Sequence, residues 1–447
     1  MSAMLFHRFH AFSSTLALAF CLLLTNPAHA VGLLRDADIE YGLKQIAAPI
    51  LRAAGLSAGR VKILVVNEGS LNAFVVSNDA IYVHYGLINR MDNATMLQAV
   101  LAHEAAHIAN GHITRRITNL GNANKIAGLG MALAVAAAAA GGGKAAAGIA
   151  LGVQSSAQRS FLGHTRSEEA SADQSAIRYM KSAGADPKGM SQVMELFSGQ
   201  ELLSVNRQDP YTRSHPLSRD RLRQIEAYVS AYGNLPADPQ AEYWFARVKG
   251  KLSAYTNAPK WTLRRLKETP YPDVRYLREA VARHRQSQTR KAISAIDKAI
   301  ATRPGDPFFY DMKGQILLET RNFGAAAASY GRGVQLAPND ALLLAGYGRA
   351  LLANGQTKKA LPILEKARSR DFRDGSMLRD LSVAYAKTGQ TGMAALTTAE
   401  RYALIGRLKD AGIHAKRAVA LLPQGSGPWQ RAQDVLIASE RAEKKRK

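Results

Sequence analysis

From about residue 273 the chain repeats itself every 34 residues, and that period constrains its fold more tightly than any other feature. Pro304 and Pro338 are 34 apart, as are Ala292, Ala326 and Ala360, and Tyr276 and Tyr310. Ala299 and Gly333 share a phase, and so do Gly314 and Gly348. Small residues that return at one phase mark where paired helices touch, so the period predicts units over 273–306, 307–340 and 341–374, with more degenerate helices from 375 to 436. Such units bury their apolar faces only against their neighbours, which gives a continuous core and a concave groove. The 447 residues exceed one hydrophobic core, so a second domain precedes the array.

Residues 1–30 read as a secretory signal. His7 and Arg8 give a basic start, and "LALAFCLLL" is an apolar centre far shorter than the roughly 20 residues a spanning helix needs. Ala28, His29 and Ala30 then form a small-residue cleavage site before Val31. The one cysteine, Cys21, lies inside this signal, so the exported chain has neither thiol nor disulfide, and a metal must be held by histidine and carboxylate. The formal net charge of +24 is spread over the chain and ends in a basic tail over 437–447. Such an excess favours acidic proteins or peripheral contact with an anionic membrane surface; for an exported protein no nucleic-acid partner is expected.

The region between signal and repeats reads as helices beside a small sheet. Residues 36–58 look like a first helix, and "RVKILVVN" and "AIYVHYGLI" are β-branched and aromatic runs joined through "EGSLNAFVVSND". Residues 126–153 are mostly alanine and glycine, too poor in Leu, Ile, Phe and Val to insert as a transmembrane helix. Two short helices folded back at Gly141–Gly143 are expected there, either as a buried hairpin or as a flap near the site or a membrane surface. Residues 236–272 read as a linker between a first domain over 31–235 and the repeats over 273–436.

The stretch "AVLAHEAAHIANGHITRR", residues 99–116, carries the chemistry. Its helix is expected to start at Asp92 or Asn93, with Met96, Val100, Leu101 and Ile108 on the buried face. At about 100° per residue, His103 and His107 lie about 40° apart on one face, where two imidazoles can reach one ion. Both suit zinc through a neutral ring nitrogen. Glu104 points beside the ion, placed to take a proton from a water molecule and pass it to a leaving amine. A catalytic ion keeps three protein ligands and an open position, so a third ligand is needed. His112 lies about 140° from His107 while the helix continues, which leaves it a structural or supporting role. Glu169 and Asp173, one helical turn apart in "GHTRSEEASADQSA", are the better source, although such an acidic pair taken alone is usually a solvated face.

"HEAAH" followed about sixty residues later by "TRSEEASAD" resembles the zinc metalloproteases of peptidase family M48, whose second motif reads Ser-Arg-x-x-Glu-x-x-Ala-Asp. Thr165, Arg166, Glu169, Ala172 and Asp173 fit it, with threonine in place of serine. The resemblance implies an α+β zincin-like metalloprotease domain, mostly helical with a small sheet. It also implies one Zn2+ per chain held by His103, His107 and Glu169, with Glu104 catalytic and Asp173 supporting. Asn72, Ala73 and Phe74 are similar to the family's strand before the motif helix, whose exposed edge pairs with an extended substrate. Ser77, Asn78 and Asp79 stand where the family often has two glycines. "RSHPLSRDRLRQI" resembles the His-Pro loop, with His215, Pro216 and Arg221 matching. A histidine there either contributes to transition-state binding or occupies the open position and silences the enzyme, with Arg221 supporting the site.

The 34-residue units resemble tetratricopeptide repeats, an all-α array. Signal, protease domain and repeats together resemble exported members of family M48 that degrade misassembled or stalled outer-membrane β-barrel proteins and assist their assembly. That implies a periplasmic location, unfolded outer-membrane proteins as clients, and the β-barrel assembly complex as a partner of the repeats. The alternative is a chaperone or adaptor that works through its repeats, with the zinc site structural or kept closed by His215. Two domains on a linker also imply that truncation before residue 273 spares the fold of the first.

Overall fold

The computed structural model describes residues 32–115, 166–200, 203, 207–232 and 234–444, all within one compact unit, Val31–Lys447. The expected signal over 1–30, the Ala/Gly-rich stretch 126–153, Thr165 and the tail residues 445–447 lie outside the described residues.

Helix α1, Ala37–Ala53, starts where the Asp36 carboxylate accepts the Ile39 amide at 3.0 Å. Ile39, Leu43, Ile46 and Ile50 follow at helical spacing and are all buried. Strands β1 (Leu33–Leu34), β2 (Lys62–Val66), β3 (Ala73–Ser77) and β4 (Ala80–His84) form one sheet in the order β1-β2-β4-β3. β2 and β4 run parallel and the other pairs antiparallel. The strand period of two sorts their side chains. Ile63, Val65, Ala73, Val75, Ile81 and Val83 enter the main core, while Leu64, Val66, Val76, Ala80 and Tyr82 cluster on the other face.

After the short helix α2, Tyr85–Arg90, Asn93 caps α3, Ala94–Ala109, by accepting the Met96 amide at 2.9 Å. Met96, Val100, Leu101 and Ile108 are buried, and so is nearly every other residue of α3, which makes it a central rather than a surface helix. Helices α4 (Arg166–Ser182) and α5 (Lys188–Leu196) pack on it, followed by α6 (Pro210–Ser214) and α7 (Arg219–Tyr232). Among the described residues no helix is long and apolar enough to cross a membrane.

Where a linker was expected, Pro239–Thr256 form helix α8, whose Tyr243, Trp244, Phe245, Val248 and Leu252 belong to the main core. Gly42 permits the close approach of α1 to α8, since a Cβ there would lie 2.6 Å from Val248 Cγ2. α8 also buries two cations. Arg247 Nε pairs with Asp38 at 2.7 Å and its Nη1 with Asp306 at 2.5 Å, while Lys251 Nζ pairs with Asp36 at 2.8 Å. Buried charges persist only with such partners, and these partners lie at the start of α1 and in the repeats.

Beyond α8, five helical pairs are described: Pro272–Arg285 with Thr289–Thr302, Pro307–Glu319 with Phe323–Leu336, Ala341–Ala353 with Thr357–Arg370, Gly375–Lys387 with Thr391–Leu404, and Leu408–Leu421 with Gly427–Lys444. Asp306, Asp340 and Asp374, 34 residues apart, each cap a first helix by accepting amides of its first turn. The pair from Gly375 has helices of 13 and 14 residues, as regular as those before it, where degenerate helices were expected.

The array is not a separable appendage. Asp371, in the loop after Arg370, is 5% exposed and takes Arg35 Nη2 at 2.7 Å and Lys62 Nζ at 2.5 Å, while Ala37 packs with Phe308 and Leu343. Truncation before residue 273 would strip Arg247 of Asp306 and both Arg35 and Lys62 of Asp371, contacts that the expectation of a spared first domain did not include. Burial alone would raise the Asp371 carboxyl, but Arg35 and Lys62 outweigh burial and hold it at about 2. A carboxylate held below its unfolded value of about 3.9 stabilises the fold fully above that value, and the contribution is lost as the pH falls through about 2. Asp371→Asn is expected to cost about 2 kcal/mol in denaturant unfolding at neutral pH, the gap to the unsubstituted chain closing between about pH 4 and about pH 2. A gap that does not change with pH would contradict this.

Candidate metal centre

Three elements converge on one buried point. α3 contributes His103, Glu104 and His107, α4 contributes Glu169 and Asp173, and His215 follows the last residue of α6 with its amide bonded to Tyr211 O at 2.8 Å. His103 Nε2 lies 3.1 Å from His107 Nε2 and 3.2 Å from His215 Nδ1. Glu169 lies 3.4 Å from His103 Nε2 through Oε2, and 3.4 Å from His107 Nε2 and 3.1 Å from His215 Nδ1 through Oε1. Donors held tetrahedrally at about 2.0–2.1 Å from an ion stand about 3.3–3.4 Å apart, so this spacing suits a single ion. His103, His107, Glu169 and His215 can thus hold one metal ion among them.

The surrounding residues fix the orientation of these donors. Asp173 Oδ1 meets His103 Nδ1 at 3.0 Å, so the ring's other nitrogen faces the cluster. Arg221, in the first turn of α7, grips Asp173 with Nε at 2.7 Å and Nη2 at 2.9 Å, reaches Glu169 Oε2 with Nη1 at 2.9 Å, and donates to Pro216 O at 2.8 Å. His112 was expected on another face of a continuing helix, but α3 ends at Ala109 and Gly111 turns the backbone at a φ of +70°. That left-handed residue returns His112 toward the site, where its Nδ1 lies 2.9 Å from His107 Nδ1. His112 therefore touches the His107 ring rather than lying on another face of the helix.

Burial and charge set the protonation. Burial opposes a charged His103, but hydrogen bonds to Asp173 and Glu169 prevail and lift it to about 10, whereas burial drives His107 well below the usual imidazole value. Burial would raise Glu169, yet His215, His103 and His107 pull it well below the ordinary carboxylate range. Glu104 is fully buried, and burial pushes its carboxyl up. Both its oxygens lack a hydrogen-bond partner among the described residues, with His215 Nε2 3.4 Å from Oε1. A carboxylate in this state beside four donors is poised for a polar group brought to the site.

Ala73 and Phe74 open β3, an edge strand of the sheet, and Asn72 immediately precedes it, so the three lie away from the donors. His84 N–H donates to Asn72 O at 2.9 Å, which makes that pair the hydrogen-bonded one; alternation then turns the amide and carbonyl of Ala73 and Val75 outward. Tyr211 was missed in the sequence. Its amide donates to Leu71 O at 3.2 Å and its ring lies 4.7 Å from that of His215, so it joins the His215 segment to the edge strand. Its position four residues before His215 was the only available signal.

Residues 35–229 match the sequence profile of peptidase family M48, and residues 317–388 match that of a tetratricopeptide repeat. The chain carries an M48 peptidase domain. The beta-barrel assembly-enhancing protease of Escherichia coli K12 is 23% identical over 355 residues, covering 78% of this chain and 72% of that protein. The protein of the same name in Yersinia pestis is 23% identical over 358 residues, with the same coverage. Metalloprotease LoiP of Escherichia coli is 29% identical over 171 residues, 36% of this chain and 60% of that one. With these relatives and a buried His/Glu cluster, the M48 domain makes this chain a metalloprotease.

One divalent ion per chain is expected to bind, and His107→Ala to abolish binding. His112→Ala should weaken it about 10–100-fold, as loss of a hydrogen bond behind a ligating ring does. Competition with a chromophoric chelator reads both, and an unchanged affinity in the His112 variant would show that its contact does not support the site.

Proposed function

We propose that the chain is a periplasmic zinc endopeptidase acting on outer-membrane β-barrel proteins that are misassembled or stalled, and that it also assists their assembly. The observation that carries the reading is the set of four buried donors, with His103 Nε2 3.1–3.4 Å from the other three, beside Glu104 and inside the segment that matches family M48. Cys-free imidazole and carboxylate donors at tetrahedral spacing suit zinc. In this reading residues 1–30 are the export signal, 31–235 the protease domain and 273–436 the repeats, with α8 joining the last two.

His103, His107 and Glu169 hold the ion, which when bound polarises a scissile carbonyl and acidifies water. Glu104 takes the proton from the attacking water at its carboxylate and returns it to the leaving amine. Asp173 and His112 hold the two imidazoles in the ligating orientation, and Arg221 ties Glu169, Asp173 and the His215 loop into one unit. The outward amides and carbonyls of Ala73 and Val75 receive an extended substrate as an added strand, with Phe74 beside it. Exposed β-segments of an unassembled barrel are the natural ligand for such an edge, and the relatives' name points the same way. The repeats deliver clients or dock the enzyme on the barrel-assembly complex, raising the local substrate concentration. The excess positive charge favours peripheral contact with an anionic membrane surface.

His215 lends weight to a second reading. As a fourth donor it occupies the place a substrate carbonyl needs, so the enzyme works only when that loop moves away, and a chain in which it never moves is a chaperone or adaptor. Glu104→Gln is expected to keep its zinc and lose about 10²–10⁴-fold in cleavage of an unfolded barrel protein. His215→Ala should cleave at least as fast as the unsubstituted chain. Zinc in every form with cleavage by none would favour the adaptor.

A further inference from the structure

The loop between Thr357–Arg370 and Gly375–Lys387 belongs to the repeats, yet its side chains close on the sheet. Besides Asp371 with Lys62, the first residue of β2, Arg373 Nη2 pairs with Asp79 Oδ2 in the turn joining β3 to β4. The loop is braced internally, since the Arg373 amide donates to Asp371 Oδ1 at 3.0 Å. Asp79 in turn accepts the Ser77 hydroxyl at 2.5 Å, and its carbonyl accepts the Lys62 amide at 3.0 Å. Ser77 is the last residue of β3, and the register of β3 on β4 slips between Val75 and Ser77. The two ends of the edge strand are therefore held by different parts of the chain. Leu71, ahead of β3, is held by Tyr211 of the His215 segment, and the turn after it is held by the repeats.

We propose that Arg373 is a positioning residue for substrate: through Asp79 the repeat array sets the bulged end of β3 and so the alignment of its open edge. A clamp of this kind connects whatever moves the fourth helical pair to the strand that receives the cleavage site. The pair contributes little to global stability. Its side chains are 27% and 47% exposed, and exposed ion pairs contribute little to folding. What the contact changes is the conformational freedom of one turn, where a bulge redirects the following backbone groups. The inference rests on the proposal that β3 receives the substrate.

The test compares four full-length proteins: unsubstituted, Arg373→Asp, Asp79→Arg, and the double exchange. Amide hydrogen exchange over residues 72–84 is followed in each, together with the apparent affinity for a small outer-membrane barrel protein diluted from urea. Affinity is read as KM where the chain cleaves and as Kd where it does not. Each single reversal is expected to speed exchange about two- to fivefold and weaken affinity by a similar factor, with kcat and zinc content unchanged, and the double exchange to restore both. Exchange that is unaltered in both single variants, or altered without a change in affinity, would overturn the role of Arg373. Absence of cleavage by every form, with the exchange and Kd effects present, would overturn the protease reading and leave the clamp standing.

Discussion

The Arg221 guanidinium is the interaction on which the site depends. One planar cation contacts Glu169, both oxygens of Asp173 and the Pro216 carbonyl, so the third donor, the residue that orients His103 and the loop carrying His215 share one anchor. Arginine suits the task because its fork meets a carboxylate through two parallel bonds and keeps its charge when buried. Buried beside two carboxylates, it is protonated even more firmly than usual, while burial's tendency to raise Asp173 is outweighed by His103 and Arg221. Removing one partner from such a set leaves charges with no solvent to receive them, at a cost of about 3–5 kcal/mol. Three segments far apart in sequence are thereby held to the tolerance that coordination requires.

The same logic joins the protease domain to the repeats. Arg247 and Lys251 sit on a helix between two cores, and their carboxylate partners come from α1 on one side and from a repeat cap on the other. The buried ion pairs add to the register already imposed by close apolar packing, because each cation is left unpaired if the helices shift. A rigid junction of this kind lets the loop of residues 371–374 reach the sheet, and it makes the repeats part of the enzyme's framework as well as a surface for partners.

Much of this was legible because two periods are strong. The 3.6-residue pattern and a cap at Asp92 or Asn93 predict α3 with both histidines on one face, and the 34-residue phase predicts where helical pairs begin. Glu169 and Asp173, one turn apart, resembled the family's second motif, and they lie together with His103. Other features were hidden for identifiable reasons. Residues 236–272 were read as a linker, and the ion pairs that bury Arg247 and Lys251 there join residues 59 and 215 apart in sequence, a distance no local pattern reveals. His112 was placed by assuming an unbroken helix, and Gly111 breaks it. The regularity beyond residue 375 is carried by Asp374, a cap whose phase is visible only once Asp306 and Asp340 are recognised as caps too.

The proposed function leaves His215 as a fourth donor that has to leave before chemistry begins. X-ray absorption at the zinc edge on the purified chain and on His215→Ala tests this most directly, because it counts the imidazoles around the ion. The account predicts three imidazoles and one carboxylate in the unsubstituted chain and two imidazoles in the variant. Two imidazoles in both would contradict it.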